Sequence, residues 1–451
     1  MRREVVFGEA LYERLRTHLL KSAPDEEAAV VLAGQQQLTG CVRLLIREFH
    51  PVPASGFARR SGLFLAVDPV WYGPLLKRCR EEGWSFLLAH SHPFSSGAHF
   101  SGTDDAGEQE LMPRLFQRAP NRAHGSIVFG SEFVDSRVWM PTERAGVTCD
   151  RVLVRGRHTS DVLTRFDRKS EARESRFDRQ VRALGDDGQR QVRAIDVGLV
   201  GLGGLGSHIY QQLKYLGVRQ VTLIDYDRVE ESNLNRLVYA APNDVGAPKV
   251  EVASRRGREI LPDSNDHVLC LDVRSADALR ALCACDIIVL ATDNLLSRLT
   301  VNRLLTQYLV PIIDVGLDID ARDGHISAIG GRITRLVPDG PCLSCLGIAG
   351  PARVAAEVAR SYVSGEEVAA PSVVSLNGVI ASIAVNELLD HVTGYSGERP
   401  DLPRSYVYDG RRGFVRAVQE SATPCGVCTL VYAAADIEPL PRNQSPPSGN
   451  T

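Results

Sequence analysis

The stretch DVGLVGLGGLGSH, residues 196–208, decides the fold. Its apolar first half reads as a short buried strand, and Gly201, Gly203 and Gly206 then form G-x-G-x-x-G ahead of a helical pattern. A glycine loop between strand and helix lets backbone N–H groups and the helix N-terminus approach a phosphate. Asp225 closes the next strand, VTLID, nineteen residues after Gly206, where an acidic side chain can bind ribose hydroxyls. On these residues alone a nicotinamide dehydrogenase is the default reading.

Outward from that loop, the runs DVGLVGLG, QVTLIDYD, HVLCLD, CDIIVLATDN, VPIIDVGL and HISAIGGRITRLV alternate with helical patterns. Such alternation implies βαβ units and a mostly parallel sheet, an α/β fold. ESNLNRL puts Arg236 just past the second strand, and VGAPKVEVA adds Lys249. Two cations suit a triphosphate with developing charge better than a hydride donor. LATDN puts Asp293 at a strand end, the edge where open α/β sheets bind ligands. A carboxylate there can hold Mg²⁺ bridging phosphates. The competing readings are a surface cation for Arg236 and a helix cap for Asp293.

Residues 1–141 read as a second α/β domain, with a first amphipathic helix in MRREVVFGEALYERLRTHLLKSA. The strand-like runs AAVVLAG, CVRLLIREFHPV, SGLFLAV, WSFLLAHSHP and HGSIVFG follow. His90 and His92 end the strand WSFLLAH two residues apart, so both project to one side. Together with Asp104 they can share one divalent metal and leave a fourth position for water. Zinc lowers the pKa of such a water to about 7. Glu27, in PDEEAAVVLAG, and Ser101 are candidates for general base and oxyanion donor. SGTD is equally a capping signature, with Ser101 as N-cap and Asp104 at N3.

Between these domains, residues 142–175 turn basic and lose apolar periodicity apart from a candidate strand at RVLVRG, which reads as a linker. The nucleotide-type domain takes 176–432, and the Pro/Ser/Asn-rich tail, 433–451, reads as disordered. CLSC (Cys342, Cys345) and CGVC (Cys425, Cys428) are two C-x-x-C pairs whose four thiolates suit a tetrahedral structural zinc. Accidental turns or a redox dithiol are the competing explanations. Cys41, Cys79, Cys149, Cys270, Cys283 and Cys285 lie in strand or helix patterns and read as buried packing residues. With 44% hydrophobic and 24% charged residues and a net charge of -3, nothing favours a nucleic-acid or membrane partner. No uninterrupted apolar segment suggests a leader or a membrane span, and reduced thiols fit a cytoplasmic protein.

The segments RFDRQVRALGDDGQRQVR, GLGGLGSH, DYDRVEESNLNRL, VGAPKVEVA and ATDN match, in order and spacing, the E1/ThiF/MoeB superfamily. Its members adenylate the C-terminal glycine of ubiquitin-like proteins. The resemblance implies ATP and Mg²⁺ as cofactors. Asp225 would bind ribose, Asn233 and Arg236 contact phosphates, Lys249 neutralise them, and Asp293 hold Mg²⁺. Arg179, in FDRQ, would reach into the ATP site of a partner subunit, implying a homodimer, and the four cysteines would hold zinc. Members that carry a thioester place the cysteine in the crossover after the first zinc pair, and Leu346–Gly378 contains none.

The run EEAAVVLAG followed by HSHP and SGTD resembles the JAMM/MPN (JAB) metallopeptidases, which cut bonds beyond the C-terminus of ubiquitin-like proteins. By that match His90, His92 and Asp104 ligate a catalytic zinc, Glu27 is the general base and Ser101 stabilises the oxyanion. Glu26 is the poorer base, because Glu27 has the family spacing to Gly34. One departure is that eight residues rather than seven separate His92 from Ser101. The combined resemblance implies a fusion of the two domains serving ubiquitin-like conjugation, with an E2-like partner and a defence or stress operon as its setting. An activating enzyme for a sulfur-carrier protein is the nearest alternative, favoured by the missing crossover cysteine. A catalytically inactive scaffold and a dehydrogenase are the others.

Overall fold

The computed structural model describes residues 1–61, 64–93, 98–163, 174–364, 371–397, 405–419 and 421–440. Its contacts divide the chain into two units. One comprises Met1–Ser170 with Thr306–Leu309 and Thr429–Pro439. The other comprises Glu171–Leu305, Val310–Cys428 and Leu440–Thr451.

In the first unit the elements run β1 (Arg2–Gly8), α1 (Glu9–Leu20), β2 (Ala28–Leu38), β3 (Cys41–Pro51), β4 (Phe57–Ser61), β5 (Phe64–Val67) and α2 (Pro69–Glu82). They continue as β6 (Ser85–Ser91), α3 (Gly102–Arg118), β7 (His124–Phe129), β8 (Val134–Trp139), β9 (Val147–Thr148), β10 (Arg151–Arg155) and β11 (Thr159–Asp161). Nine of these strands form one sheet in the order β11-β10-β1-β3-β2-β6-β7-β8-β9. On one face α1 packs Tyr12, Leu15 and Leu19 against Val31, Leu44 and Ile127. On the other, α2 and α3 pack Tyr72, Leu76, Met112 and Leu115 against Val30, Leu32 and Phe86.

Three sequence expectations change here. The N-terminal amphipathic stretch is a strand before it is a helix, because Val5, Val6 and Phe7 are buried between β3 and β10. The segment read as linker carries β9 to β11, and β10 runs parallel to β1 in the sheet. The candidate strand RVLVRG within it is thus β10, buried along most of its length and a member of the sheet rather than an isolated strand in a linker. The tail read as disordered is ordered at its start: Ala433, Ala434 and Ala435 are buried, and Ala434 and Ile437 join the Val30, Leu32, Trp84 cluster. Residues 441–451 of that tail lie outside the described residues.

The second unit contains α4 (Asp178–Ala194), β12 (Asp196–Val200), α5 (Gly204–Leu216), β13 (Gln220–Ile224), α6 (Lys249–Ile260), β14 (His267–Leu269), α7 (Ala276–Ala284), β15 (Ile287–Leu290) and α8 (Leu295–Gln307), whose last two residues are assigned to the first unit. It goes on with β16 (Ile312–Arg322), β17 (His325–Leu336), α9 (Pro351–Ser364), α10 (Val374–Thr393), β18 (Ser405–Asp409), β19 (Phe414–Val418) and α11 (Val427–Val431), the last crossing the boundary of the units. The sheet order is β14-β13-β12-β15-β16-β17-β18-β19. The pairings from β14 to β16 are parallel and those from β16 to β19 antiparallel. The six expected strands are present at their expected places. The core joins Val197 and Leu199 of β12 to Ile209 and Leu213 of α5 and to Ile380, Ala384 and Leu388 of α10. Strand order reverses at β12, so a crevice opens at the carboxyl ends of β12 and β15.

Candidate functional sites

In the first unit, β6 ends with His90 buried and opposite Ala28 of β2 in antiparallel register. Continuing that register sets Ser91 opposite Glu27 and His92 opposite Glu26. The Ser91 N–H donates to the Glu27 carbonyl at 3.1 Å, and the Glu27 N–H donates to Ser91 Oγ at 3.0 Å. Side chains alternate faces along a strand, so His90, His92 and Glu26 share one face and Glu27 takes the other. Accordingly Glu26 Oε1 lies 3.8 Å from His92 Nε2, whereas Glu27 Oε1 accepts from Ser22 Oγ at 2.6 Å. The expectation that Glu27 faces the histidines is therefore corrected to Glu26. Spacing to Gly34 along one strand says nothing of which of two adjacent residues shares a face with the histidines; the unbroken register of β2 against β6 does.

Asp104 reaches the same point from the first turn of α3. Its Oδ1 is 3.0 Å from His90 Nε2 and its Oδ2 is 3.5 Å from His92 Nε2. Ser101 holds it there in a capping box: its N–H and Oγ donate to Asp104 Oδ2 at 2.6 and 2.8 Å, and Ser101 Oγ accepts from the Asp104 N–H at 3.2 Å. The capping reading of SGTD holds, and one carboxylate oxygen serves the cap while the other is turned to His90, as the metal reading needs. Ser101 donates its proton to Asp104, so here it orients the carboxylate. Burial raises the Asp104 carboxyl, but the His90 and Ser101 hydrogen bonds and the His90 charge overcome it and hold it below the usual range. Burial and the neighbouring His90 charge lower the His92 imidazole, keeping it neutral, and burial raises Glu26.

This donor set fits a metal. His90 Nε2 is buried and lies 3.0 Å from Asp104 Oδ1, as expected of atoms aimed at a common point. The ligand atoms of His90, His92 and Asp104 all lie within 4.8 Å of one another. His92 also hydrogen-bonds the His99 backbone, the kind of outer contact that fixes a ligand imidazole's tautomer. The longer loop between His92 and Ser101 includes residues 94–97, which lie outside the described residues.

The second unit brings Cys342, Cys345, Cys425 and Cys428 together, their sulfurs within 4.8 Å of one another. Four thiolates about 2.3 Å from one zinc stand roughly 3.8 Å apart. The Cys342–Cys345, Cys342–Cys425 and Cys345–Cys428 separations are 3.7, 3.8 and 3.8 Å, and Cys428 lies 3.1 Å from Cys342 and 3.3 Å from Cys425. The hydrogen bond from Cys428 lowers the Cys342 thiol to about 4, with the proton kept on Cys428, whose own thiol is pushed up. Asn302 of α8 accepts from the Leu343 N–H at 2.8 Å and steadies the first pair. The arrangement is closed, as a structural zinc site requires.

At the carboxyl edge of the second sheet, Gly201 takes φ 87°, and Gly203 is the N-cap of α5. A Cβ on Gly206 would collide with the Gly201 carbonyl oxygen, so the third glycine sets how closely helix and strand approach. Asp225 Oδ2 accepts from the Leu202 N–H at 2.6 Å and Oδ1 from the Asp227 N–H at 2.8 Å. Burial raises its carboxyl, and the Lys249 charge opposes that. Lys249, the first residue of α6, donates to Asp227 Oδ2 at 2.7 Å. Arg236 is half-buried, its Nη1 on the Ser232 carbonyl at 2.7 Å and on Asn235 Oδ1 at 3.2 Å, and its own carbonyl accepts from Ser207 Oγ at 3.3 Å. Asn233 is buried, with Oδ1 on the Glu230 N–H at 3.3 Å. Asp293 is exposed, and Asn294 caps α8 instead, accepting from the Ser297 N–H at 2.9 Å.

Residues 177–429, more than half of the chain, match the ThiF family. The chain belongs to the ThiF family. Ahead of that region, residues 8–142 match the prokaryotic homologs of the JAB domain, so a JAB domain is fused to a ThiF domain. The SAMP-activating enzyme E1 of Haloferax volcanii is 34% identical over 148 residues, 33% of this chain and 52% of that protein. Ubiquitin-like modifier-activating enzyme 5 of Xenopus laevis is 28% identical over 211 residues, 44% of this chain and 51% of that protein. The chain therefore spans about half the length of the curated relatives it matches. A crystal structure of Escherichia coli MccB with MccA-N7isoASN is 20% identical with a TM-score of 0.48, covering 57% of this chain and 75% of that one.

Within the ThiF domain Arg179 is not brought to the glycine loop. It is exposed on α4, whose neighbouring Gln180 donates to the Tyr215 carbonyl at the far end of α5, 3.0 Å away. Asp227 was missed in the sequence although DYD displays it one residue beyond Tyr226. The packing expectation holds for Cys41, Cys79, Cys149, Cys283 and Cys285, which are buried, but not for Cys270. That residue is exposed just past β14, its sulfur 3.8 Å from the Tyr226 carbonyl. A strand only three residues long ends before Cys270 and leaves it outside the sheet. No described helix is long and apolar enough to cross a membrane.

Proposed function

We propose that the ThiF domain adenylates the C-terminal glycine of a ubiquitin-like protein and that the JAB domain is a zinc peptidase trimming or deconjugating the same tail. The observation that carries the reading is the grouping of Gly201, Gly206, Asp225 and Lys249 at the carboxyl edge where strand order reverses. In the adenylation step a terminal carboxylate oxygen bonds to the α-phosphorus of ATP while the bond to pyrophosphate breaks. The glycine loop and the α5 N-terminus hold the phosphates. Lys249, released from Asp227, and Arg236 offset the charge that develops, and Asp293 would hold Mg²⁺, which would supply further positive charge there. Arg179 then belongs to the site of a second copy, which makes the active species a homodimer.

In the JAB domain His90, His92 and Asp104 would hold zinc, which supplies a water acidic enough to lose its proton near pH 7. Glu26 accepts that proton and returns it to the departing amine. Ser101 keeps Asp104 in place. Carrying both activities on one chain raises their effective concentration toward one substrate tail.

The test is exchange of labelled pyrophosphate into ATP with a glycine-ended ubiquitin-like protein. Exchange should need the terminal glycine and disappear in Asp293→Ala. Exchange that ignores the tail, or survives in Asp293→Ala, refutes the reading. The absence of cysteine in Leu346–Gly378 favours a second reading, activation of a sulfur-carrier protein through thiocarboxylate formation. A thiol-sensitive substrate adduct lost in Cys270→Ala would decide for a thioester and an E2-like partner instead.

A further inference from the structure

The turn that carries Asp293 is held from behind by a buried guanidinium. Arg298, one turn into α8 and 8% exposed, pairs with Asp314 of β16, which is 1% exposed. The same guanidinium donates through Nη2 to the Thr292 carbonyl at 2.5 Å and to the Val315 carbonyl at 2.9 Å. Asp314 lies opposite Leu290, the last residue of β15, in the parallel register. One planar group therefore ties β16 to the peptide immediately before Asp293, while Asn294 caps the helix immediately after it.

A buried ion pair is a poor way to gain stability, since removing both charges from water offsets most of their attraction. What a guanidinium offers beyond a lysine is a rigid fork that sets several acceptors in fixed directions. Here those acceptors are an aspartate, the carbonyl preceding Asp293 and the carbonyl following Asp314. Mg²⁺ demands near-ideal octahedral geometry, so the direction of a ligand carboxylate bears directly on its affinity.

We propose that Arg298, oriented by Asp314, is a positioning residue that fixes the Thr292 peptide and so directs Asp293 at the divalent cation bound with the nucleotide. The proposal rests on the ATP reading of this site and concerns two buried residues behind the turn. Arg298→Lys keeps the charge but loses the fork, and Asp314→Asn keeps the size but loosens the guanidinium.

ATP binding to the full chain is measured by calorimetry over a range of Mg²⁺ concentrations and again in chelator. Amide exchange across residues 291–297 is followed without ligand. For both variants the Mg²⁺ concentration giving half-maximal binding should rise about tenfold. Binding in chelator should stay as in the wild type, and exchange across the turn should quicken. An unchanged Mg²⁺ requirement in Arg298→Lys, or equal losses with and without Mg²⁺ in both variants, overturns the proposal in favour of a purely structural pair. Unchanged exchange across the turn overturns it as well. A wild-type chain that binds no ATP at all refutes the nucleotide reading instead, a result distinct from either of these.

Discussion

The two metal-type clusters of this chain are built on opposite plans. His90, His92 and Asp104 come from one strand end and the next helix start, within fifteen residues, and they differ in chemistry. Cys342, Cys345, Cys425 and Cys428 come from two loops far apart in sequence and are four identical donors. The first cluster offers three candidate ligands beside a buried carboxylate, Glu26, 3.8 Å from one histidine. The second leaves no position unfilled. Open coordination beside a base is what hydrolysis needs, and closed coordination is what cross-linking two loops needs. Donor count and the nearest non-ligand carboxylate, more than donor identity, separate the two roles.

The largest effect expected from breaking this contrast falls on the cysteine cluster. Cys342→Ser should release one metal equivalent per chain and lower the unfolding temperature of the ThiF domain. The scale is set by structural zinc, whose binding contributes about 10–16 kcal/mol to isolated zinc-finger folds. Metal analysis and thermal unfolding check this, and retained stoichiometry would show that the quartet is not a metal site. The JAB cluster should keep its own metal in that variant.

Next in size is the base. Glu26→Gln should keep the metal and slow cleavage of a tail-extended substrate by about 10²–10⁴-fold. Glu27→Gln should leave cleavage nearly intact, because its side chain faces Ser22. The reverse outcome would mean that strand parity does not decide which glutamate acts.

A smaller and graded effect is the pH dependence of metal binding. Burial lowers the His92 imidazole below its usual value of 6.5. The ring is thus mostly neutral at that pH, and its half-protonation lies below it. Zinc affinity of the JAB cluster, measured between pH 5 and 8, should fall toward acid, with the His92 contribution, isolated by comparison with His92→Ala, half lost only beneath pH 6.5. A His92 contribution already half lost above that value would contradict the burial argument.

The smallest effect sharpens the double use of Asp104. Ser101→Ala removes both the cap of α3 and the hydroxyl that orients a ligand. It should cost about 1 kcal/mol of JAB-domain stability. It should also weaken zinc binding by about tenfold. Stability lost with zinc affinity unchanged would leave Ser101 as a cap alone.

Much of the ThiF domain was legible because its signals are local. G-x-G-x-x-G and Asp225 lie in one strand-turn-helix-strand unit, and the six strands announce themselves by apolar runs of ordinary length. His90 and His92 were legible for the same reason, since two residues on one strand share a face whatever lies elsewhere. The choice between Glu26 and Glu27 was not. It depends on how β2 registers against β6, and a count along one strand does not contain its partner's register. Asp293 is a similar case. The sequence leaves it as cap or ligand, and the observed cap is Asn294.

By itself, then, the amino-acid order determined the two α/β domains, both clusters of candidate ligands and the glycine loop, because each is written in short-range periodicity or spacing. Tertiary structure alone decided that RVLVR pairs with β1, that Ala434 and Ile437 belong to the core of the first unit, and that Cys270 stands in solvent. It alone revealed Arg298 and Asp314 behind Asp293. Strand pairing, burial and close packing join residues distant in the chain, and no local pattern of side chains encodes which partner each will meet.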